Sequence, residues 1–297
     1  MFLLTLQSPG PELCRWGAAR EIGTLSDPIA ESSGLAISRR FPGRLYHVND
    51  SGDTGRFFIT NFAGGDTRAV RITGFQPVDS EDIAIGPCGA RTDCLFIGDI
   101  GDNDSTRREI ELAVVMEESE FPAEVRPRQR IRMRYPDGPH DAESLAVHPD
   151  GTIFLMTKDL RGTPSPAHLY RLRPEQWRSS SNAVQTLDLV TAIDFGKLLP
   201  GTLVIARVPT AMDISADGKR LLVLMYIDAV EINLDFSSPH VPPVASWMEG
   251  RTYQRISLFQ LQQQEAIAYT PDARGFIYTT ERASGRSPIM RVDCVGN

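Results

Sequence analysis

Small polar and acidic side chains return at matched places along this sequence, each time where an apolar run begins. The segments ESSGLAIS (31–38), SEDIAIGP (80–87), AESLAVHPDG (142–151), TAMDISADG (210–218) and QEAIAYTPDARG (264–275) share a polar opening, alternating apolar residues and then a turn. Pro-Asp or Asp-Gly hairpin signals mark three of those turns. Aligned on their apolar residues, the segments put Ser33, Glu81, Glu143, Thr210 and Glu265 in one equivalent position. Two residues earlier stand Glu31, Asp79, Asp141, Val208 and Gln263. The apolar runs that follow end in acid as well, at Asp50, Asp99, Asp159 and Glu281, with Asp53 and Asp102 just beyond. Such oxygen-bearing side chains either coordinate a hard cation or bond backbone amides and water at a solvated rim.

A motif that recurs in this way needs a repeat architecture to bring its copies together. Each opening segment is followed by a second apolar run (RLYHVNDSGD, CLFIGDIGDN, TIFLMTKD, RLLVLMYID, FIYTTERAS) and by a third (RFFITNFAGG, REIELAVVM, HLYRLRP, AVEINLDF, IMRVDCV). The first four units add a fourth strand near TRAVRITG, RQRIRMRY, VQTLDLVTAI and TYQRISLF. The fifth unit stops after its third strand, and AAREIGTL near the N-terminus supplies the missing one. The sequence therefore predicts an all-β, five-bladed β-propeller of four-stranded blades, its ring closed by the N-terminal strand joining the C-terminal blade. One domain is expected over residues 1–297, with 1–14 as a tail and longer loops only near 101–107, 160–166, 174–182 and 236–250. Helix-period patterns are nearly absent.

In a propeller the start of the first strand and the end of the second share one face, so the five equivalent residues ring the channel mouth. Carboxylates packed there repel one another unless protonated or neutralised. A wide ring of oxygen ligands suits Ca²⁺ better than Zn²⁺ or Mg²⁺. Ser33, Glu81, Glu143, Thr210 and Glu265 are thus the expected metal ligands.

Composition removes several function classes. A charged fraction of 23% and a net charge of −7 without basic runs argue against wholesale binding of nucleic acid or anionic membrane. No apolar run reaches membrane-spanning length. The opening MFLLTL is too short for a secretory signal and lacks its basic residues, though it fits the stump of one. Cys88 and Cys94 flank a short turn and Cys14 and Cys294 lie at opposite chain ends, where blade closure would bring them together. Two disulfides and an extracytoplasmic location, periplasmic or secreted, are expected; four reduced thiols are the alternative. No CxxC spacing marks a zinc site, no G-x-S-x-G marks a nucleophile elbow, and no helix follows GDIGDND to make a phosphate loop. Trp16, Trp177 and Trp247 are scattered and read as packing.

The order Ser, Glu, Glu, Thr, Glu around five blades resembles the calcium-activated nucleotidases (apyrases), five-bladed propellers with Ca²⁺ held on the axis by a Ser/Glu ring. ESSGL, LYHVNDSGDTG, LFIGDIGDND and EAIAY carry the local likeness, and Thr210 keeps the hydroxyl where that family has serine. The ESSGL, HVNDSGD, SEDIA and GDIGDN motifs also resemble a group of uncharacterised secreted bacterial propellers. The leading expectation is a hydrolase, expected to be monomeric, whose axial Ca²⁺ engages a small anionic substrate, a phosphate ester or anhydride, and polarises its phosphoryl oxygen. Asp50, Asp99 or Asp102 would position the attacking water, and Lys158 and Arg207 would stabilise transferred charge. His140, beside Asp141, reads as a rim residue. A calcium-dependent lactonase or esterase, and a non-catalytic binding module with a structural cation, remain the rival expectations.

Overall fold

Five antiparallel sheets form because five times over the chain runs strand, tight turn, strand, each strand alternating apolar faces that two neighbouring sheets bury. The computed structural model describes residues 13–50, 52–158, 166–179, 183–281 and 285–296. Asp159, the MFLLTL opening and residues 180–182 lie outside them. Blade 1 comprises Ser32–Ile37, Arg44–Asn49, Arg56–Asn61 and Arg68–Ile72, and blade 2 Ser80–Gly89, Thr92–Asp99, Ile110–Met116 and Gln129–Arg134. Blade 3 is built from Ala142–Val147, Ile153–Thr157, Ala167–Leu172 and Asp188–Ile193, and blade 4 from Pro209–Ile214, Leu221–Met225, Asp228–Ile232 and Tyr253–Ser257. Blade 5 joins Gln264–Tyr269, Gly275–Thr280 and Pro288–Gly296 to the N-terminal Arg20–Thr24. Each inner strand packs on the inner strands of both neighbours, and Gln264–Tyr269 against Ser32–Ile37 completes the circle.

Apolar layers between blades form the core, such as Tyr46, Phe57 and Phe121 between blades 1 and 2 and Phe96, Leu155 and Trp177 between blades 2 and 3. Gly34 is required by that packing, because a Cβ there would meet the Ile83 amide of the next blade. Two buried carboxylates stitch the inner strands further. Asp82 accepts the amide of Leu145 in blade 3 at 2.8 Å, and Asp213 that of Tyr269 in blade 5 at 2.8 Å. Beneath the mouth Leu35, Ile83, Leu145 and Met212 fill the channel around a cavity of only about 10 Å³. The mouth is thus a cup with a floor.

Three features go beyond the four-stranded expectation. Glu124–Val125 and Gln185–Thr186 add parallel to the outer strands of blades 1 and 2, and Arg15–Trp16 adds beside Cys294 in blade 5. Short extra strands of this kind cover exposed sheet edges. The expected loop from 174 opens as a helical turn, Pro174–Arg178, with proline at its start and Trp177 buried. Both expected disulfides are present, Cys14–Cys294 pinning the ring closure and Cys88–Cys94 spanning a hairpin, each with Cα atoms 5.7 Å apart. Among the described residues no helix is long and apolar enough to cross a membrane.

His47 gives this core a measurable acid response. It is fully buried in blade 1, its Nε2 lies 3.0 Å from Thr60 Oγ1, and its Nδ1 has no partner. Burial pushes the imidazole down to about 3. The unfolded chain takes up this proton near pH ~6.5, whereas the folded chain holds it off until far lower pH, so the contribution is lost as pH falls through that window. The slope is about 1.4 kcal/mol per pH unit. Thermal midpoints between pH 7 and 4 are expected to fall less steeply for His47→Leu than for the wild type, and equal slopes would reject the assignment.

Candidate functional site

In every blade the pairing of first and second strands slips by one residue at the same place. The slips fall between Ser32 and Gly34, Ser80 and Asp82, Ala142 and Ser144, Pro209 and Ala211, and Gln264 and Ala266. The residue passed over is in turn Ser33, Glu81, Glu143, Thr210 and Glu265. A β-bulge takes its residue out of the ladder and re-aims the side chain, so the repeated bulge builds the expected ring. All five are buried.

The second strands end on the same face. The amides of Asp50, Ile100, Lys158 and Glu281 donate to the carbonyls of Glu31, Asp79, Asp141 and Gln263 at 2.9, 3.1, 2.9 and 3.1 Å. These four positions are equivalent, and Tyr226, following Met225, is the blade 4 counterpart. A second tier of side chains therefore stands beside the ring: Asp50, Ile100, Lys158, Tyr226 and Glu281.

Lys158 dominates the axis. Its ammonium lies 2.7 Å from Glu143 Oε2 and 3.9 Å from Glu265 Oε1, joining blades 3 and 5, and 5.3 Å from the centre of the Tyr226 ring. Tyr226 donates to Glu265 Oε1 at 3.0 Å, and Ser33 donates to Glu81 Oε2 at 3.2 Å. Burial works against the charge on Lys158, but Glu143 and Glu265 outweigh it and hold the ammonium protonated. Burial raises the Glu143 carboxyl against the pull of Lys158. Glu281 is raised by burial and by Glu265.

Away from Lys158 the repulsion is less relieved. Asp50, Asp79 and Glu81 present carboxylate oxygens that all lie within 4.8 Å of one another. Burial, then Asp50, pushes Asp79 up to about 6. Burial, then Glu143, Asp50 and Asp79, pushes Glu81 well above the carboxylate range. Asp79 Oδ1 is buried without a hydrogen-bond partner. Gly101 makes room for this group, since a Cβ there would collide with Glu81 Oε1 and Asp79 Oδ2. An all-oxygen set with an unmet lone pair fits a hard divalent cation.

Several expected catalytic residues stand elsewhere. Asp99 is one position earlier than Asp50, paired with Ser80; its carboxylate accepts the amides of Val78 and Asp79 at 3.1 and 3.0 Å and pairs with Arg107 at 2.7 Å. Asp102 accepts the Arg107 amide at 2.7 Å and gives its own amide to Asp141 Oδ1 at 2.8 Å. Both shape the GDIGDND loop. Arg207 is turned away, its guanidinium bound to the hydroxyl and carbonyl of Thr202 at 3.1 and 2.6 Å. The Thr210 hydroxyl donates to the Gln264 carbonyl of blade 5 at 2.9 Å. His140 Nε2 lies 3.1 Å from Asp137 Oδ1 and from the Tyr170 hydroxyl. Of the residues named for water activation, Asp50 alone joins the converging carboxylates.

No protein-family model matches the chain, and no curated protein matches it. Among solved structures it is similar to one from a nidogen–laminin complex, at 16% identity over 85% of this chain and 73% of that one, with a TM-score of 0.47. It is similar to a gluconolactonase from Xanthomonas campestris, at 11% identity over 97% and 99% of the two chains, TM-score 0.47. A third similarity is to Kuenenia stuttgartiensis hydrazine synthase, at 10% identity over 89% and 96%, TM-score 0.45. At these scores none of the three lends a substrate or a residue role to this chain.

Proposed function

We propose that this protein is an extracytoplasmic, divalent-cation-dependent hydrolase that acts on a carboxylic ester or lactone at the acidic mouth of the propeller. The observation that carries the reading is the convergence of Asp50, Asp79 and Glu81 within 4.8 Å. Carboxylates forced together by burial bind a hard cation, and Ca²⁺ is the one their oxygen-only chemistry favours. Bound there, such an ion supplies Lewis-acid polarisation of a carbonyl oxygen.

The surrounding residues divide the remaining work. Lys158 bridges Glu143 and Glu265, which fixes the far wall of the cup. Glu281, raised by burial and by Glu265 and held through Oε2 by Gln263 at 2.7 Å, is placed to carry a proton near neutral pH. A carbonyl is favoured over a phosphoryl group because, among the described residues, the cations expected to serve a phosphoryl centre are engaged, Lys158 by two glutamates and Arg207 by Thr202, and Arg107 is held by Asp99. The two disulfides support an oxidising compartment.

Native mass spectrometry with added Ca²⁺ should show uptake of an ion that is lost in Asp79→Asn. Lactones and aryl esters should then turn over with Ca²⁺ and stop with chelator, while nucleotides and phosphomonoesters remain intact. Turnover of phosphates alone would reverse the choice of substrate. Cation-dependent thermal stability with no turnover of any of them would make the chain a binding module.

A further inference from the structure

Arginine stands at every second position from Arg126 to Arg134, in the segment RPRQRIRMR that leads into and forms the outer strand of blade 2. No two are adjacent, but a strand of period two gathers alternate residues on one face. All five arginines are exposed, while Ile131 and Met133 between them are buried in the layer against blade 3. Their side chains reach back over the third strand of the same blade. Arg130 pairs with Glu111 and donates from Nη1 to the Gly74 carbonyl of the blade 1 connector at 3.0 Å, and Arg132 pairs with Glu109. Among the described residues Arg128 and Arg134 touch uncharged atoms, Met116 Sδ at 3.7 Å and Thr186 Oγ1 at 3.0 Å.

A cleft adjoins this row. Arg71, on the outer strand of blade 1, pairs with Glu124 and lines, with Gly74, Phe75 and Pro77, a cavity of about 510 Å³. Arg130 reaches the same Gly74, so row and cleft lie side by side. Asp53, also on the cleft wall, is taken up by Arg56 at 2.7 Å. In a chain of net charge −7, Arg71 and the five arginines of the row meet three glutamates, Glu109, Glu111 and Glu124, so this flank is basic. Guarding a sheet edge against pairing takes a charge or two, and five of one sign exceed that need.

Within the strand successive arginines stand about 6.6–6.8 Å apart, two residues of β rise, which presents a row of separate anion sites in place of one. Guanidinium forks suit carboxylate and like oxyanions. Arg130 and Arg132 keep side chains 50% and 47% exposed, and pairs this open exchange readily for the anions of a polymer. Residues 126–134 carry no aromatic ring on which bases could stack, and the net charge opposes a planar anionic membrane. We propose that the arginine row of blade 2 and the cleft beside it bind a linear acidic polysaccharide, carboxylated or sulfated. The flank shares no residue with Asp50, Asp79, Glu81 or the ring, so this inference stands apart from the hydrolytic reading.

Binding is to be measured by calorimetry in chelator, so that neither turnover nor cation bridging contributes, with polygalacturonate and heparin as acidic glycans and dextran as the neutral one. Both acidic chains are expected to bind and to weaken as salt rises, the tighter of them naming the anion, and dextran is expected not to bind. Arg128→Gln/Arg134→Gln, which spares the Glu109 and Glu111 pairs, should weaken binding about fivefold per arginine, the upper value for one exposed ion pair. Arg251→Gln/Arg274→Gln, the same charge removed from exposed positions in blades 4 and 5, should leave affinity unchanged. Equal losses in the two variants would reduce the effect to net charge and overturn the proposal, as would no uptake of either acidic glycan. Tighter binding of an oligo(dT) strand or of phosphatidylglycerol vesicles would reassign the flank to nucleic acid or membrane and overturn it too.

Discussion

Lys158→Met is expected to lower stability by about 4 kcal/mol in chelator and to recover much of that loss when Ca²⁺ is added. Lys158 is 9% exposed and holds Glu143 and Glu265, themselves 4% exposed, through its ammonium. Removing one partner of a buried ion pair costs about 3–5 kcal/mol, because the remaining charge is left without compensation. Here two glutamates are left, facing each other across the axis. A divalent ion can replace the ammonium, so differential scanning calorimetry should show a larger Ca²⁺-dependent rise in melting temperature for the variant than for the wild type, and native mass spectrometry one additional bound ion. Equal Ca²⁺ responses in the two proteins would mean that Lys158 and a metal do not compete for the axis, and the charge argument for the mouth would fail with it.

The ring was legible because the propeller repeats its bulge. Ser33, Glu81, Glu143, Thr210 and Glu265 align on flanking apolar residues whose alternation is imposed by burial between blades, and that alternation survives wherever the side chains themselves diverge. Closure was legible for a similar reason, since a fifth unit one strand short must find its edge partner at the other chain end.

The second tier was misread by one residue. The second strands align without a gap as LYHVND, LFIGDI, IFLMTK, LLVLMY and FIYTTE, which puts Asp50, Ile100, Lys158, Tyr226 and Glu281 together and leaves Asp99 opposite Ser80. Matching acid to acid pulled Asp99 and Asp159 into the set instead. The substitution of Ile100 explains why blade 2 spends its aspartates differently: with no carboxylate at that position, Asp99 is free to turn to the Val78 and Asp79 amides and to Arg107. What no alignment reveals is compensation between distant side chains. That Lys158 of blade 3 reaches Glu265 of blade 5, or that Arg207 is consumed by Thr202, depends on chain directions that only the folded ring fixes. The extra edge strands escaped for want of length, two residues being too few to carry a period.

Glu231→Ala should be the most damaging single change away from the mouth, costing on the order of 5 kcal/mol. Glu231 is 0% exposed on the third strand of blade 4. Its Oε1 accepts Arg220 at 3.1 Å and the Tyr269 hydroxyl at 2.7 Å, and its Oε2 accepts Gln254 at 2.6 Å and the Trp16 indole at 3.3 Å. One carboxylate thus ties blade 4 to the inner strand of blade 5 and to the N-terminal segment that closes the ring. Gln254 extends the tie to the Cys14 carbonyl at 3.1 Å, beside the disulfide. Deleting the carboxylate leaves a guanidinium and three further donors without their acceptor, so the loss should concentrate at the seam between blades 4 and 5. Hydrogen exchange should accelerate in residues 14–24 and 288–296 before it does in blades 1 to 3, and cleavage near the N-terminus should become rapid once the Cys14–Cys294 bridge is reduced. Uniform acceleration across all blades would show that the ring unfolds as one unit, and that Glu231 contributes to its total stability without governing how it is closed.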